Sequence, residues 1–143
     1  IRRRQTEQGN TQFVLPEYIR GTLDMGVALY LSLEVPIARA IFMSFLISEV
    51  HPFNDGNGRI CRIMFNSEMI KANLATMITP NVFREDYLLA LRAMSRIERA
   101  KPLIKMFTMA QDFSLVDFSI YQQGLKYIIE HNWFLKPSEG KII

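Results

Sequence analysis

A single cysteine, Cys61, stands in a chain of 143 residues. That excludes an internal disulfide and a cysteine-based zinc site, and it suits a reducing, cytoplasmic compartment. Long hydrophobic runs are also missing. The longest, residues 37–50, is too short to cross a bilayer and contains Arg39 and Glu49, so no membrane helix is expected. Charge of one sign is scarce as well: the formal net charge is +3, and Arg2, Arg3 and Arg4 account for much of it. A short basic run of this kind reads as a solvated strand end rather than a nucleic-acid arm, so no nucleic-acid partner is expected. Internal repeats and low-complexity tracts do not occur. The first residue is Ile rather than Met, so sequence upstream of Ile1 is expected.

What is present is an ordinary globular profile, 49% apolar and 22% charged, of a length that suits one domain with a sizeable core. Its periodicity is helical. Residues 1–14 alternate loosely and break at Gly9-Asn10, which suits a hairpin between two short strands. Pro16 favours a helix start, with Tyr18, Ile19, Leu23, Val27, Tyr30 and Leu31 at helical spacing. Pro36 opens a helix over residues 37–50 with almost no polar face, the expected centre of the core. Pro52 disfavours a helical His51, so a loop begins there. A second long helix starts within residues 55–59, carries Ile60, Ile63, Met64 and Ile70 on one face, and stops near Asn73. Residues 80–83 lead into a helix over 84–97. Residues 102–113 and 117–131 are also helical, and the tail 136–143 is irregular. The expected class is all-α: a helical bundle around a buried central helix, with a small N-terminal β-hairpin.

Chemistry concentrates in residues 51–62. A glycine-rich turn at a helix start leaves backbone N–H groups unpaired at the positive end of the helix dipole, an arrangement that binds phosphate. Gly56 and Gly58 let phosphate oxygens approach the backbone, and Asn57 offers an amide donor. Arg59 and Arg62, three apart, bring two guanidinium forks to neighbouring faces of the first turns, as a polyphosphate requires. A triphosphate also needs Mg²⁺, and Asp55 is placed to offer a carboxylate. His51, in the loop before the cradle, suits a proton acceptor near neutral pH. Phe53 reads as an anchor whose ring buries under the loop and holds His51. Each group alone has a bland explanation: a structural His, a turn, a solvated Arg pair. Their joint occurrence at these spacings favours a site that takes a nucleoside triphosphate and transfers part of it to a hydroxyl.

The run His51-Pro52-Phe53-Asn54-Asp55-Gly56-Asn57-Gly58-Arg59-Ile60-Cys61-Arg62 resembles the full signature of the Fic family, HPFx(D/E)GNGRxxR, at every specified position. The likeness extends to the segment before Pro16, similar to the family's flap hairpin, to the buried helix before His51, and to the helix around residues 87–91. It implies a Fic core over 1–113, with the flap in about 1–15, and a C-terminal helix and tail over 114–143. It implies further an Mg-dependent protein adenylyltransferase (AMPylation) that moves AMP from ATP to a Tyr, Thr or Ser hydroxyl of a target protein. His51 would be the general base and Asp55 would hold Mg²⁺. Gly56, Asn57 and Gly58 would form the anion hole, Arg59 and Arg62 would bind outer phosphates, and Gln12, Phe13 and Val14 would pair with an extended target segment. Removal of AMP, or transfer of another nucleotide or phosphate-containing group at the same site, is the alternative. A nucleotide-binding module without catalysis is disfavoured because such a binder needs neither His51 nor Asp55.

Many family members carry an inhibitory helix, (S/T)xxxE(G/N), whose glutamate pairs with the second motif arginine, here Arg62. No Ser or Thr in this chain is followed four residues later by Glu, and Ser138-Glu139-Gly140 lacks the spacing. The restraining element is therefore absent, lies upstream of Ile1, or comes from an antitoxin-like partner protein. Elsewhere, His131 beside Trp133 and Phe134 reads as packing, and Cys61 as a small core residue. Arg84 and Tyr87 lie where relatives place residues near the nucleotide, though packing is the simpler reading of Tyr87.

Overall fold

The computed structural model describes residues 1–3, 7–8, 11–80 and 83–133. The expected turn at Gly9-Asn10, the tail 136–143, Arg4 and residues 81–82 of the connection lie outside them. In chain order come strands β1 (Glu7–Gln8) and β2 (Thr11–Gln12), a 3₁₀ turn (Pro16–Tyr18), and helices α1 (Ile19–Leu31), α2 (Pro36–Val50) and α3 (Asn57–Lys71). Helices α4 (Arg84–Ile97), α5 (Lys101–Ser114) and α6 (Tyr121–Glu130) follow. The protein is mostly helical, as its periodicity indicates, with one small antiparallel hairpin that pairs Glu7 with Gln12 and Gln8 with Thr11. Among the described residues no helix is long and apolar enough to cross a membrane. The chain forms two compact units, Ile1–Leu74 and Ala75–Ile143.

In the first unit α2 is the central helix: no residue from Ile37 to Val50 is exposed. Its apolarity on every side leaves it no face that gains from water. Ile19, Met43, Leu46 and Val50 form the core, with Val14, Leu23, Tyr30, Phe42 and Met64 packed against it. The buried face of α1 matches the expected one in part: Ile19, Leu23 and Tyr30 turn inward. Val27 and Leu31 are exposed, while Gly26 is buried, and a Cβ on Gly26 would fall 2.5 Å from Leu46 Cδ1. The missing side chain is what lets α1 close on α2.

Helix α3 departs from expectation in the same way. Ile63 and Ile70 are exposed, and the face turned inward carries Asn57, Cys61, Phe65, Glu68 and Met69. Met64 packs on the core as expected, but apolarity alone misses the rest of the inner face because two of its polar residues are hydrogen-bonded. Glu68 is the larger case. It accepts from Tyr30 Oη (2.8 Å, α1), Arg39 Nε (3.0 Å, α2) and Lys71 Nζ (2.6 Å, α3). Arg39 also donates to the Tyr30 hydroxyl and lies 4.3 Å over its ring. Burial alone would raise the Glu68 carboxyl, but the donors Lys71, Tyr30 and Arg39 outweigh it and hold it below the ordinary carboxylate value. Tyr30 ends α1, Arg39 begins α2 and Glu68 ends α3. The clamp therefore ties the three helices at the end opposite the short loop 51–56.

In the second unit α4 and α5 pack through Ala90 and Leu91 against a stripe of Leu103, Met106, Phe107 and Ala110. Tyr87 meets Phe107 edge-on at 6.1 Å, a packing role. His131 does likewise: it stacks on Tyr127 at 4.1 Å and its Nδ1 lies 2.8 Å from the Tyr127 carbonyl. Ser114 Oγ fastens the segment before α4 by accepting from the Ile78 N–H at 2.7 Å.

Candidate functional site

Helix α2 delivers His51. The His51 N–H still donates to Ile47 O (3.0 Å), the last bond of the helical ladder, and the residue then turns into the left-handed region at φ 49°, ψ 56°. Proline at the next position excludes ordinary helix there, but the chain leaves through the left-handed region rather than an extended one. A non-glycine residue persists in that conformation only where its surroundings over-determine it. Here they do: Val50 and Pro52 on either side are among the most fully buried residues of the protein.

A further restraint comes from Arg2, expected to be a solvated strand end but only 1% exposed. Its Nε donates to His51 O (2.7 Å), and its Nη2 donates to Val14 O and, more weakly, to Val50 O (3.4 Å). Its backbone N–H donates to Pro52 O at 2.8 Å. These acceptors include the last carbonyls of α2, which have no partner within the helix. Local sequence carries no sign of this role, because the acceptors lie 12, 48 and 49 residues away. Arg3, by contrast, is exposed as expected.

The half-buried His51 ring lies flat against Phe13, with centroids 3.9 Å apart and planes 15° from parallel. Burial lowers its pKa and the positive charge of Arg2 lowers it further, while a hydrogen bond to the Ser48 carbonyl opposes them. Burial therefore favours the neutral imidazole, the form able to accept a proton.

The loop 52–56 is closed by Asn57 rather than by the Phe53 ring. Asn57 Oδ1 accepts from the Phe53 N–H (3.0 Å) and its Nδ2 donates to Phe53 O (2.8 Å). The Phe53 side chain is 38% exposed and Pro52 is the residue buried beneath the loop, which corrects the expectation that the Phe53 ring is the anchor. The Asn57 side chain is buried, with its Oδ1 and one amide hydrogen engaged by the loop backbone. Gly56 turns the chain into α3 at φ 84°, a conformation that favours glycine. The first helical bond of α3 runs from Ile60 N–H to Gly56 O at 3.0 Å, leaving the N–H groups of Asn57, Gly58 and Arg59 ahead of it. No side chain caps them.

Two guanidinium groups fold back over the glycines. A Cβ on Gly56 would lie 3.4 Å from Arg59 Nη2, and one on Gly58 would lie 3.7 Å from Arg62 Nη1. Arg59 Nη2 also pairs with Asp55 Oδ2 at 3.1 Å, with both side chains open to solvent (71% and 91%). Asp55 is thus a single, accessible carboxylate, and no group of three or more His, Cys, Asp or Glu able to hold a metal occurs among the described residues. Such a carboxylate fits Mg²⁺ that arrives with phosphate and water ligands of its own, not an ion caged by protein. Behind the turn, the Cys61 thiol lies buried 3.2 Å from Ser48 Oγ, and burial raises its pKa, so it is a core residue.

The sequence profile of the Fic/DOC family matches residues 1–69. The chain is 33% identical over 96 residues to the protein adenylyltransferase fic-1 of Caenorhabditis elegans, an alignment covering 64% of this chain and 19% of that protein. It is 38% identical over 56 residues to the fic-1 adenylyltransferase of Caenorhabditis briggsae, covering 39% of this chain and 11% of the relative. Identity is also 38% over 56 residues to a probable protein adenylyltransferase of Aquifex aeolicus, covering 39% and 17%. The chain thus spans less than a fifth of the length of these curated relatives.

Proposed function

We propose that this chain belongs to the Fic/DOC family, whose profile matches residues 1–69, and that it carries a protein adenylyltransferase site that moves AMP from ATP to a hydroxyl side chain of a target protein. The observation that carries this reading is the His51 imidazole, fixed at the exit of α2 and followed at once by an uncapped helix start roofed by two arginines. The likeness to proteins named adenylyltransferases supports AMP as the transferred group.

The steps follow from the residues. The flap segment Gln12, Phe13 and Val14 holds an extended stretch of the target by backbone pairing. His51 takes the proton of the target hydroxyl, and the oxygen attacks the α-phosphorus as the bond to pyrophosphate breaks. The N–H groups of Asn57 and Gly58 meet phosphate oxygens at the close approach that Gly56 and Gly58 permit. Arg59 and Arg62 neutralise the outer phosphates. In the free protein Arg59 is occupied by Asp55, but an exposed pair of this kind is worth roughly 0–1 kcal/mol, so exchange for phosphate is easy. Mg²⁺, when bound at Asp55, supplies charge neutralisation of the phosphates. Preorganised positioning and charge do the remainder, as phosphoryl-transfer chemistry requires. The exposed Arg62 also offers a restraining carboxylate a place to dock, and such a carboxylate, where one exists, would come from sequence outside this chain or from a partner protein. A reducing, cytoplasmic setting suits the lone Cys61.

The test incubates the protein with ATP, Mg²⁺ and a cell lysate, beside a His51→Ala variant. Label from α-labelled ATP entering proteins only with intact His51 is the expected result. Label from γ-labelled ATP would mean phosphate transfer and end this reading. Release of AMP from modified proteins, with no label incorporated, would favour the reverse reaction at the same residues.

A further inference from the structure

We propose that Arg2 is a positioning residue that sets the distance and tilt between the flap and the base, so that the Phe13–His51 stack is held from behind by one guanidinium. The proposal rests on the reading of His51 as the base, and it names a residue outside the motif on which that base depends.

The geometry is specific. Arg2 binds the carbonyl of His51 itself through Nε and, through Nη2, the carbonyl of Val14, the residue next to Phe13. The two aromatic rings in contact at 3.9 Å are therefore carried by backbone segments that a single planar group spans. Arg2 N–H to Pro52 O extends the tie past His51 on the other side. A guanidinium presents donors in a rigid fork, whereas an ammonium is a point charge on a flexible stem that cannot hold the same pair of directions. With the guanidinium almost wholly buried, water is poorly placed to replace either bond. Any shift of the flap strand is thereby transmitted to the His51 backbone, and the ring that receives the proton is registered to the strand that receives the target.

The test uses Arg2→Lys, which keeps the charge and loses the fork. The chain has two histidines, so the ring protons of His51 and His131 are separately resolved by NMR. Stacking on Phe13 shifts the His51 ring signals upfield. In folded Arg2→Lys that shift is expected to fall by at least half, with the His131 signals and helical circular dichroism unchanged. AMP transfer is expected to drop at least tenfold with the KM for ATP within twofold. An unaltered His51 shift in the folded variant would overturn the proposal. Should the variant not fold, the unaltered protein decides. Its Arg2 Nε–H is expected to exchange with solvent at least a hundredfold more slowly than that of an exposed arginine such as Arg20, and equal rates would overturn the proposal. Because the resonances are read without turnover, they test Arg2 even where the unaltered protein transfers no AMP, a result that counts against the functional reading alone.

Discussion

Replacing Gly58 by Ala should make the protein more stable and less able to use ATP. Gly58 sits in the first turn of α3 with ordinary helical geometry. Glycine in a helix is worse than alanine by about 1 kcal/mol, and somewhat less near an end, so the change should stabilise by about 0.5–1 kcal/mol. Nothing opposes that gain: the added Cβ meets only Arg62 Nη1, at an ordinary contact distance of 3.7 Å. Yet the methyl group stands between the exposed N–H groups and the arginine that roofs them, where phosphate oxygens must enter. We expect an increase of at least tenfold in the KM for ATP. Gly56→Ala gives the contrast. At φ 84° a side chain is strained by about 1–2 kcal/mol, and the Cβ lies 3.4 Å from Arg59 Nη2, so stability and ATP use should fall together. Urea unfolding followed by circular dichroism, beside a labelled-ATP assay, separates the cases. An unchanged KM in a stabilised Gly58→Ala protein would refute the cradle, and a stabilised Gly56→Ala protein would refute the turn.

Other expectations concern the clamp, the base and the α1–α2 contact. Glu68→Ala should lower stability by about 1.5–3 kcal/mol, the scale for hydrogen bonds to a charged group, because Arg39 and Lys71 still reach solvent. The folded-state pKa of Glu68 is depressed, so its contribution is full above the ordinary carboxylate range and fades as pH falls through the folded value. The stability difference between wild type and variant should shrink accordingly. For His51 the folded pKa is also lowered, so an NMR titration should find the ring neutral until pH falls below the ordinary histidine value, and a midpoint above that value would contradict the burial argument. Below the ordinary histidine value the unfolded chain binds the proton first, so this residue's contribution to stability declines with acid. Within α1, Gly21→Ala meets nothing within 4 Å and should stabilise the protein, whereas Gly26→Ala drives a methyl into the buried Leu46 and should destabilise it by about 1–3 kcal/mol. Chemical denaturation that moves both midpoints the same way would show that α1 does not close on α2 as described.

How far the sequence discloses this arrangement depends on how local each cause is. The buried α2 was legible because its residues are apolar on every side, and the break at His51 because Pro52 follows it. The turn at Gly56 and the roofing arginines lie within one short segment, so spacing alone brings them together. Faces were harder. Ile63 and Ile70 suggested the inner side of α3, but Glu68 and Asn57 lie inward because donors from α1 and α2, or from the loop backbone, complete their hydrogen bonds. Phe53 drew attention through its size, while the smaller Pro52 is the residue buried. Arg2 was illegible, since its three carbonyl acceptors come together only when the flap meets the end of α2.

The central claim is that His51 performs proton transfer while the glycine–arginine turn holds the nucleotide, and a His51→Ala protein divides the two tasks. Calorimetric titration with ATP and Mg²⁺ is expected to give affinity within twofold of the unaltered protein, with AMP transfer reduced at least a hundredfold, as loss of a general base requires. Transfer retained at near the original rate, or ATP affinity lost together with it, would contradict the account.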